Sequence, residues 1–403
     1  MSTSILYHGF GIHAYRYVNS KYQQGAISFT IAKEEHALRY PSCHGRNVSR
    51  RGGIVRVFHT LPIGRKQIYI RLRIPGVSCR ECQTVRQINL GFADPRRTYT
   101  RAFERYVIEL ARHMTIQDVA DHLAVGWDLV KEIQKQHLER RFAKPVLKGL
   151  KRIAIDEISI GKGQNYLTVV LDLRSGAVVF VGDGKGVDAL TPFWKRLKVS
   201  GAKIEAVAIY MSPSYIAAVK LNLLQAAIVF DHFHIIKLFN DKLSDLRREI
   251  FQNLSAAGKS VLKGIRWLLL KNAKRLQPKY HEKESLFKAL RINVPLFTAY
   301  LLKEDLYRLW RQNSKAEATA FLDSWIARAE QSEVSMLKRF AKTLDGQRDG
   351  ILAFYDFPIS TGPLEGTNNK IKTLQKQAYG FRDLDFFKLK IYGFHETKFA
   401  LVG

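Results

Sequence analysis

Cysteine is scarce in this 403-residue sequence, with Cys43, Cys79 and Cys82 alone. Three thiols cannot close a disulfide framework, which excludes the small stapled folds of secreted proteins. Long apolar runs are missing too. No stretch reaches the roughly 18 residues that mark a bilayer span, and the longest runs, such as Ala226 to Phe230, suit a buried strand. Residues Met1 to Tyr17 lack a basic segment followed by an apolar one, so no secretory signal is read there. An intracellular, cytoplasmic protein with no membrane partner is expected. No internal repeat or low-complexity tract occurs. The last shortage is of acid: 36 Asp and Glu face 65 Lys and Arg, a net charge of +29 that repels itself unless a polyanion neutralises it. Nucleic acid is the usual polyanion, although charge without sequence information also suits a ribosome-associated protein.

What is present is ordinary for a globular chain. Hydrophobic residues make up 46% and charged residues 25%, so disorder is not indicated, and the length implies two or three units with at least one sizeable core. Residues 1–95 alternate apolar with basic or polar positions, as at Val55 and Val57 and at Ile68, Ile70, Leu72 and Ile74, the period of strands in a small β module. From Arg101 to Phe142 the period becomes helical, and Ala143-Lys144-Pro145 reads as a linker closing a unit of residues 96–145. Thr115 caps a helix through Ile116, Val119, Ala120 and Leu123. Ala124-Val125-Gly126 then turns the chain into a second helix from Asp128 to about Gln136. This is a helix-turn-helix pattern, and Trp127, Lys131, Gln134 and Lys135 are the residues expected to face DNA. A plain helical hairpin would need neither the Gly in the turn nor the basic face.

Residues 146–238 alternate strands and helices. Three strands end near Asp156, Leu173 and Gly182, a helix follows from Val187, a fourth strand runs to Tyr210, a helix passes Tyr215, and a fifth strand reaches Phe230. That order, β-β-β-α-β-α-β, describes a ribonuclease H-like α/β sheet. Residues 239–357 read as amphipathic helix throughout, an all-helical insertion, and residues 358–403 return with a last helix that carries Glu365.

Three strings carry chemistry. Asp156-Glu157 ends a buried strand, and two-metal phosphoryl transfer needs acids fixed at a sheet edge. Acids also close strands merely because they face solvent. Asp231-His232-Phe233-His234 follows another strand, where an Asp-x-x-His step builds either a metal site or a hydrogen-bonded brace. In Thr361-Gly362-Pro363-Leu364-Glu365-Gly366-Thr367-Asn368-Asn369-Lys370-Ile371-Lys372, a helix from Pro363 puts Glu365, Asn368 and Asn369 on one face, with Lys370 and Lys372 near enough for phosphates. Cys79-Arg-Glu-Cys82 has the spacing of a metal knuckle.

Taken together, these strings resemble the bacterial insertion-sequence transposases of the ISL-three family, over nearly the whole chain. The resemblance implies a ribonuclease H-like catalytic domain interrupted by helices, and cutting and joining of DNA at terminal inverted repeats with Mg²⁺ or Mn²⁺. It also implies double-stranded DNA as partner, at element ends and at target, and a homodimer on that DNA. Asp156 and Glu365 match the first and last acids of the family's triad and would be its metal ligands. Two departures stand out. The middle acid is expected just before Met-Ser-Pro-x-Tyr, where this chain has Tyr210, so strand transfer is expected to be largely lost unless Asp231 substitutes. The alternative is a catalytically silent transposase-derived DNA-binding protein, a repressor or architectural factor. The family's two zinc-binding Cys pairs are represented here by Cys79-x-x-Cys82 and by Tyr40-Pro-Ser-Cys43-His44. A tetrahedral zinc on Cys43, Cys79 and Cys82 would need a fourth ligand, for which His44 and His36 are candidates.

Overall fold

The computed structural model describes residues 4–163, 165–291 and 293–394. It is mixed α/β, with two five-stranded sheets and many helices, and it divides into two compact units at the Ala143–Lys144 junction.

In the first unit the strands are β1 (Tyr15–Gln23), β2 (Ala26–Lys33), β3 (Val48–Ile63), β4 (Lys66–Cys79) and β5 (Val85–Gln87), in the order β1-β2-β4-β3 with β5 on β4. The alternation of Ile68, Ile70, Leu72 and Ile74 puts all four on one face, where they are buried with Phe29, Ile31 and Phe58. Val55 and Val57, of opposite parity to Phe58, lie on the other face and are about half exposed, at 49% and 47%. Three helices follow, Arg101–Leu110, Ile116–Leu123 and Trp127–Phe142, around Phe103, Val107, Val119, Leu123, Val130 and Ile133. Thr115 caps the second helix through a reciprocal box with Asp118, and Ala124 ends it at a left-handed φ of 50°. The third helix is longer than its sequence signals announce, because Val130 and Ile133 anchor it and no breaker occurs before Phe142.

The second unit holds β6 (Arg152–Ser159), β7 (Tyr166–Asp172), β8 (Val178–Asp183), β9 (Ala206–Ile209) and β10 (Ala227–Phe230), in the order β10-β9-β6-β7-β8. The β6-β7-β8 meander is antiparallel, whereas β9 and β10 run parallel to β6. Strand parity sorts the side chains between two cores. Ile153, Ile155, Val170 and Ile209 point to the face covered by helices Val187–Ser200 and Pro213–Asn222, in a core continuous with Phe239, Trp325 and Phe340 of the helical block. Ala154, Ile158, Val169 and Ala208 point to the opposite face, where they meet Leu364 and Ile371 of helix Gly362–Gln377 and Phe387 and Ile391 of helix Leu384–Tyr392. Burial of this continuous apolar surface, at roughly 25 cal/mol per Å², is what returns the last helices to the sheet after the long helical excursion. Gly350, in helix Arg348–Leu352, lies so close to the Phe230 ring that a Cβ there would collide with it.

Candidate active site

Asp156 shares the parity of Ala154 and Ile158, so it faces helix Gly362–Gln377, and Glu157 faces the opposite layer. Asp156 does not end its strand. β6 continues to Ser159 because its antiparallel partner β7 is long enough to hold it, while pairing with the four-residue β9 stops at Ala154–Ala208. Continuing that register sets Tyr210 beside Asp156, and the Asp231 backbone N–H donates to Ile209 O at 3.2 Å, which sets Asp231 beside Tyr210. Three neighbouring strands thus deliver Asp156, Tyr210 and Asp231 to one edge.

Each polar group has identifiable partners. Asp156 Oδ1 accepts the Glu157 N–H at 2.8 Å, and Oδ2 accepts Asn368 Nδ2 at 2.9 Å across 212 residues of sequence. Burial raises the Asp156 carboxyl above its ordinary range, against the backbone hydrogen bond and His234, which favour the charge. Asp231 is 3% exposed and accepts Thr361 Oγ1 at 2.8 Å and His234 Nδ1 at 3.1 Å. Burial opposes its charge, yet those two hydrogen bonds and the neighbouring His232 and His234 hold it below the usual carboxylate range. Tyr210 packs edge-on against Tyr215 with centroids 5.5 Å apart, and beside His234 at 5.9 Å. Burial, then the nearby acids, push its phenol far above the ordinary tyrosine value, so it carries no charge at neutral pH.

Glu365 lies between Thr361 and Asn368 on one helical stripe, at i+4 and i+7 from Thr361. Thr361 reaches Asp231 and Asn368 reaches Asp156, so Glu365 projects from the face that both residues turn toward the sheet. It is exposed, as are Asn369, Lys370 and Lys372. Pattern alone gave no role to Tyr215, or to Thr361 at the head of the last string. Tyr215 Oη meets Glu157 Oε2 at 3.3 Å, Thr168 Oγ1 at 3.2 Å and the Gly186 N–H at 3.3 Å. A polar residue at a helix start is too common a signal to assign a role to either.

In the first unit Trp127 is 42% exposed, with Lys131 Nζ 5.4 Å from its ring centre, and Lys135 is half-buried. Gln134 was expected on the DNA face and is instead buried, next to Ile133 on the side that packs into the three-helix core. Cys43, Cys79 and Cys82 bring their sulfurs within 4.8 Å of one another, the one such trio of Cys, His or carboxylate ligands among the described residues. His44 and His36, expected as the fourth ligand, do not join it. His44 sits at a left-handed φ of 58° with its N–H on Tyr40 O and is exposed, and His36 pairs with Glu34 at 3.3 Å. The backbone N–H of Cys82 lowers the Cys79 thiol, whereas sharing with Cys43 pushes Cys82 up to about 11. Tyr40, in the remaining knuckle position, is 1% exposed, and its hydroxyl is engaged by Thr84.

Residues 153–391 match the ISL3 DDE family model described as "Transposase", and residues 88–138 match "Helix-turn-helix domain of transposase family ISL3". The chain belongs to the ISL3 transposase family. It is 32% identical over 343 residues to the transposase for insertion sequence element IS1001 of Bordetella parapertussis, covering 84% of each chain. It is 28% identical over 363 residues to the transposase for IS1557 of Mycobacterium tuberculosis, covering 82% of this chain and 80% of the relative. Among solved structures it is similar to the Drosophila P element transposase strand transfer complex, at a TM-score of 0.40 and 10% identity over 75% of this chain and 92% of that one. This last similarity is too slight to add to the family assignment. The ISL3 chain is thus a DNA-binding transposase of DDE polynucleotidyl-transferase ancestry, a class that uses divalent metal. No described helix is long and apolar enough to cross a membrane.

Proposed function

We propose that the second unit is a ribonuclease H-like catalytic domain in which Asp156 and Glu365 hold Mg²⁺ or Mn²⁺ at a scissile phosphate, and that Tyr210 leaves the chain as written nearly silent in cleavage. The observation that carries the reading is the Asn368–Asp156 hydrogen bond, which docks the helix bearing Glu365 over the first strand's acid. When bound, the cations supply an activated water and a stabilised leaving oxygen. This chain's own residues do the holding. Asp156 offers a hard oxygen donor on the sheet edge, Glu365 offers a second from the last helix, and Asp231 orients His234 and fixes the N-terminus of that helix through Thr361. Asp231 is a positioning residue in this reading, because its Oδ2 accepts both Thr361 and His234 and so ties the start of the last helix to the helix after β10. Lys370 and Lys372, exposed on the same helix, meet DNA phosphates.

The first unit reads the element's ends through Trp127, Lys131 and Lys135, and two ends per element favour a homodimer on the DNA. Cys43, Cys79 and Cys82 hold a structural zinc whose fourth ligand this chain does not supply from His44 or His36. Tyr210 also favours a second reading, a repressor or architectural factor that binds the same ends without cutting. Incubation with DNA carrying candidate ends, with and without Mg²⁺ or Mn²⁺, separates the two when binding and cleavage are scored independently. Binding with little cleavage is expected. Absence of binding to any end-bearing DNA would sink both readings.

A further inference from the structure

Asn368 is 8% exposed, and its Oδ1 is a buried oxygen with no hydrogen-bond partner. Its orientation follows from its neighbour: Nδ2 donates to Asp156 Oδ2, and a flipped amide would press a lone pair against that carboxylate. A buried, unsatisfied carbonyl costs about 1–3 kcal/mol, and native proteins keep few of them. Thr361 and His234 already serve Asp231. What suits an amide oxygen beside a carboxylate is a hard divalent cation, which takes Asn carbonyls as readily as acids.

We infer that the Asn368 side-chain carbonyl is an additional oxygen donor to the divalent cation held by Asp156, a neutral ligand in a site that Tyr210 has deprived of its third carboxylate. The inference rests on the proposed role of Asp156. Two carboxylates and one amide oxygen carry two negative charges, enough to offset one divalent cation and too few to offset two. Such a site binds a single cation weakly.

The test is a Mn²⁺ titration of the full chain by electron paramagnetic resonance, with DNA binding and thermal melting as checks on folding. Asn368→Leu is expected to weaken Mn²⁺ binding at least tenfold, and Asp156→Asn to abolish it. In protein labelled with ¹³C-asparagine, electron-nuclear double resonance should show a ¹³C coupling to bound Mn²⁺ that Asn368→Leu removes. Equal affinity of Asn368→Leu and the unmodified chain, with Asp156→Asn still deficient, would overturn the inference and leave the Asp156 assignment standing. Mn²⁺ binding untouched by Asp156→Asn would overturn both. Should Asn368→Leu fail to fold, absence of the ¹³C coupling in the unmodified labelled chain overturns the inference by itself.

Discussion

Replacing Tyr210 by Asp puts a third carboxylate between Asp156 and Asp231, and the structure sets the size of the effect. Neighbouring strands lie about 5 Å apart, and two unit charges at that distance repel by about 3 kcal/mol at an effective dielectric constant near 20. Loss of the Tyr210–Tyr215 edge contact adds ~1 kcal/mol. Without metal, Tyr210→Asp should therefore melt the second unit roughly 10 °C lower than the unmodified chain, since 1 kcal/mol shifts a domain of this size by about 2–4 °C. Mn²⁺ should restore most of that loss in the variant and change the unmodified chain little. Cleavage of end-bearing DNA should rise on the order of a thousandfold, ~4 kcal/mol in barrier, and Asp156→Ala or Glu365→Ala in the Tyr210→Asp background should remove it. Melting in EDTA and in Mn²⁺, beside a gel assay of strand cleavage, measures both halves. Robust cleavage by the unmodified chain would show that Asp231 or another acid already fills the middle position. A variant that binds DNA yet gains neither metal-dependent stability nor cleavage would refute the placement of residue 210 in the site.

The Asp231 carboxyl is held below its unfolded value of about 3.9, so it contributes stability that is present above that pH and is lost as pH falls through the lower folded value. Acid titration of the melting temperature should therefore be flatter for Asp231→Asn below about pH 4, and identical slopes would remove Asp231 from the acid-sensitive set. Elemental analysis should find one zinc per chain, lost in Cys79→Ser, and a metal-free protein would leave three ordinary thiols. DNA affinity should fall steeply with salt, given the +29 charge. Lys131→Ala should reduce preference for element ends more than general DNA binding, and equal losses on specific and random duplexes would refute a base-reading role.

Local pattern made much of this protein legible. Alternation along β4 follows from a two-residue strand period against one buried face, and the short apolar runs of β6, β9 and β10 from a sheet covered on both faces. The Thr115 capping box and the Ala124-Val125-Gly126 turn follow from backbone groups that need partners at helix ends. The three site strings were visible because acids and amides beside apolar runs need a reason to be there. Other features depend on contacts between segments far apart in the chain. Whether Gln134 faces solvent or core depended on where Val130 and Ile133 pack, and Gln134, one helical turn after Val130, shares its buried side. His44 falls outside the thiol trio although it adjoins Cys43 in sequence. The hydrogen bonds of Asn368 to Asp156 and of Thr361 to Asp231 span 212 and 130 residues, and neither segment carries information about the other until the sheet and the last helix bury their apolar faces together. The sequence by itself determined which chemical groups exist and the period on which each is carried. Tertiary packing decided which of them meet, because burial energy is non-directional and depends on the whole chain rather than on any one stretch of it.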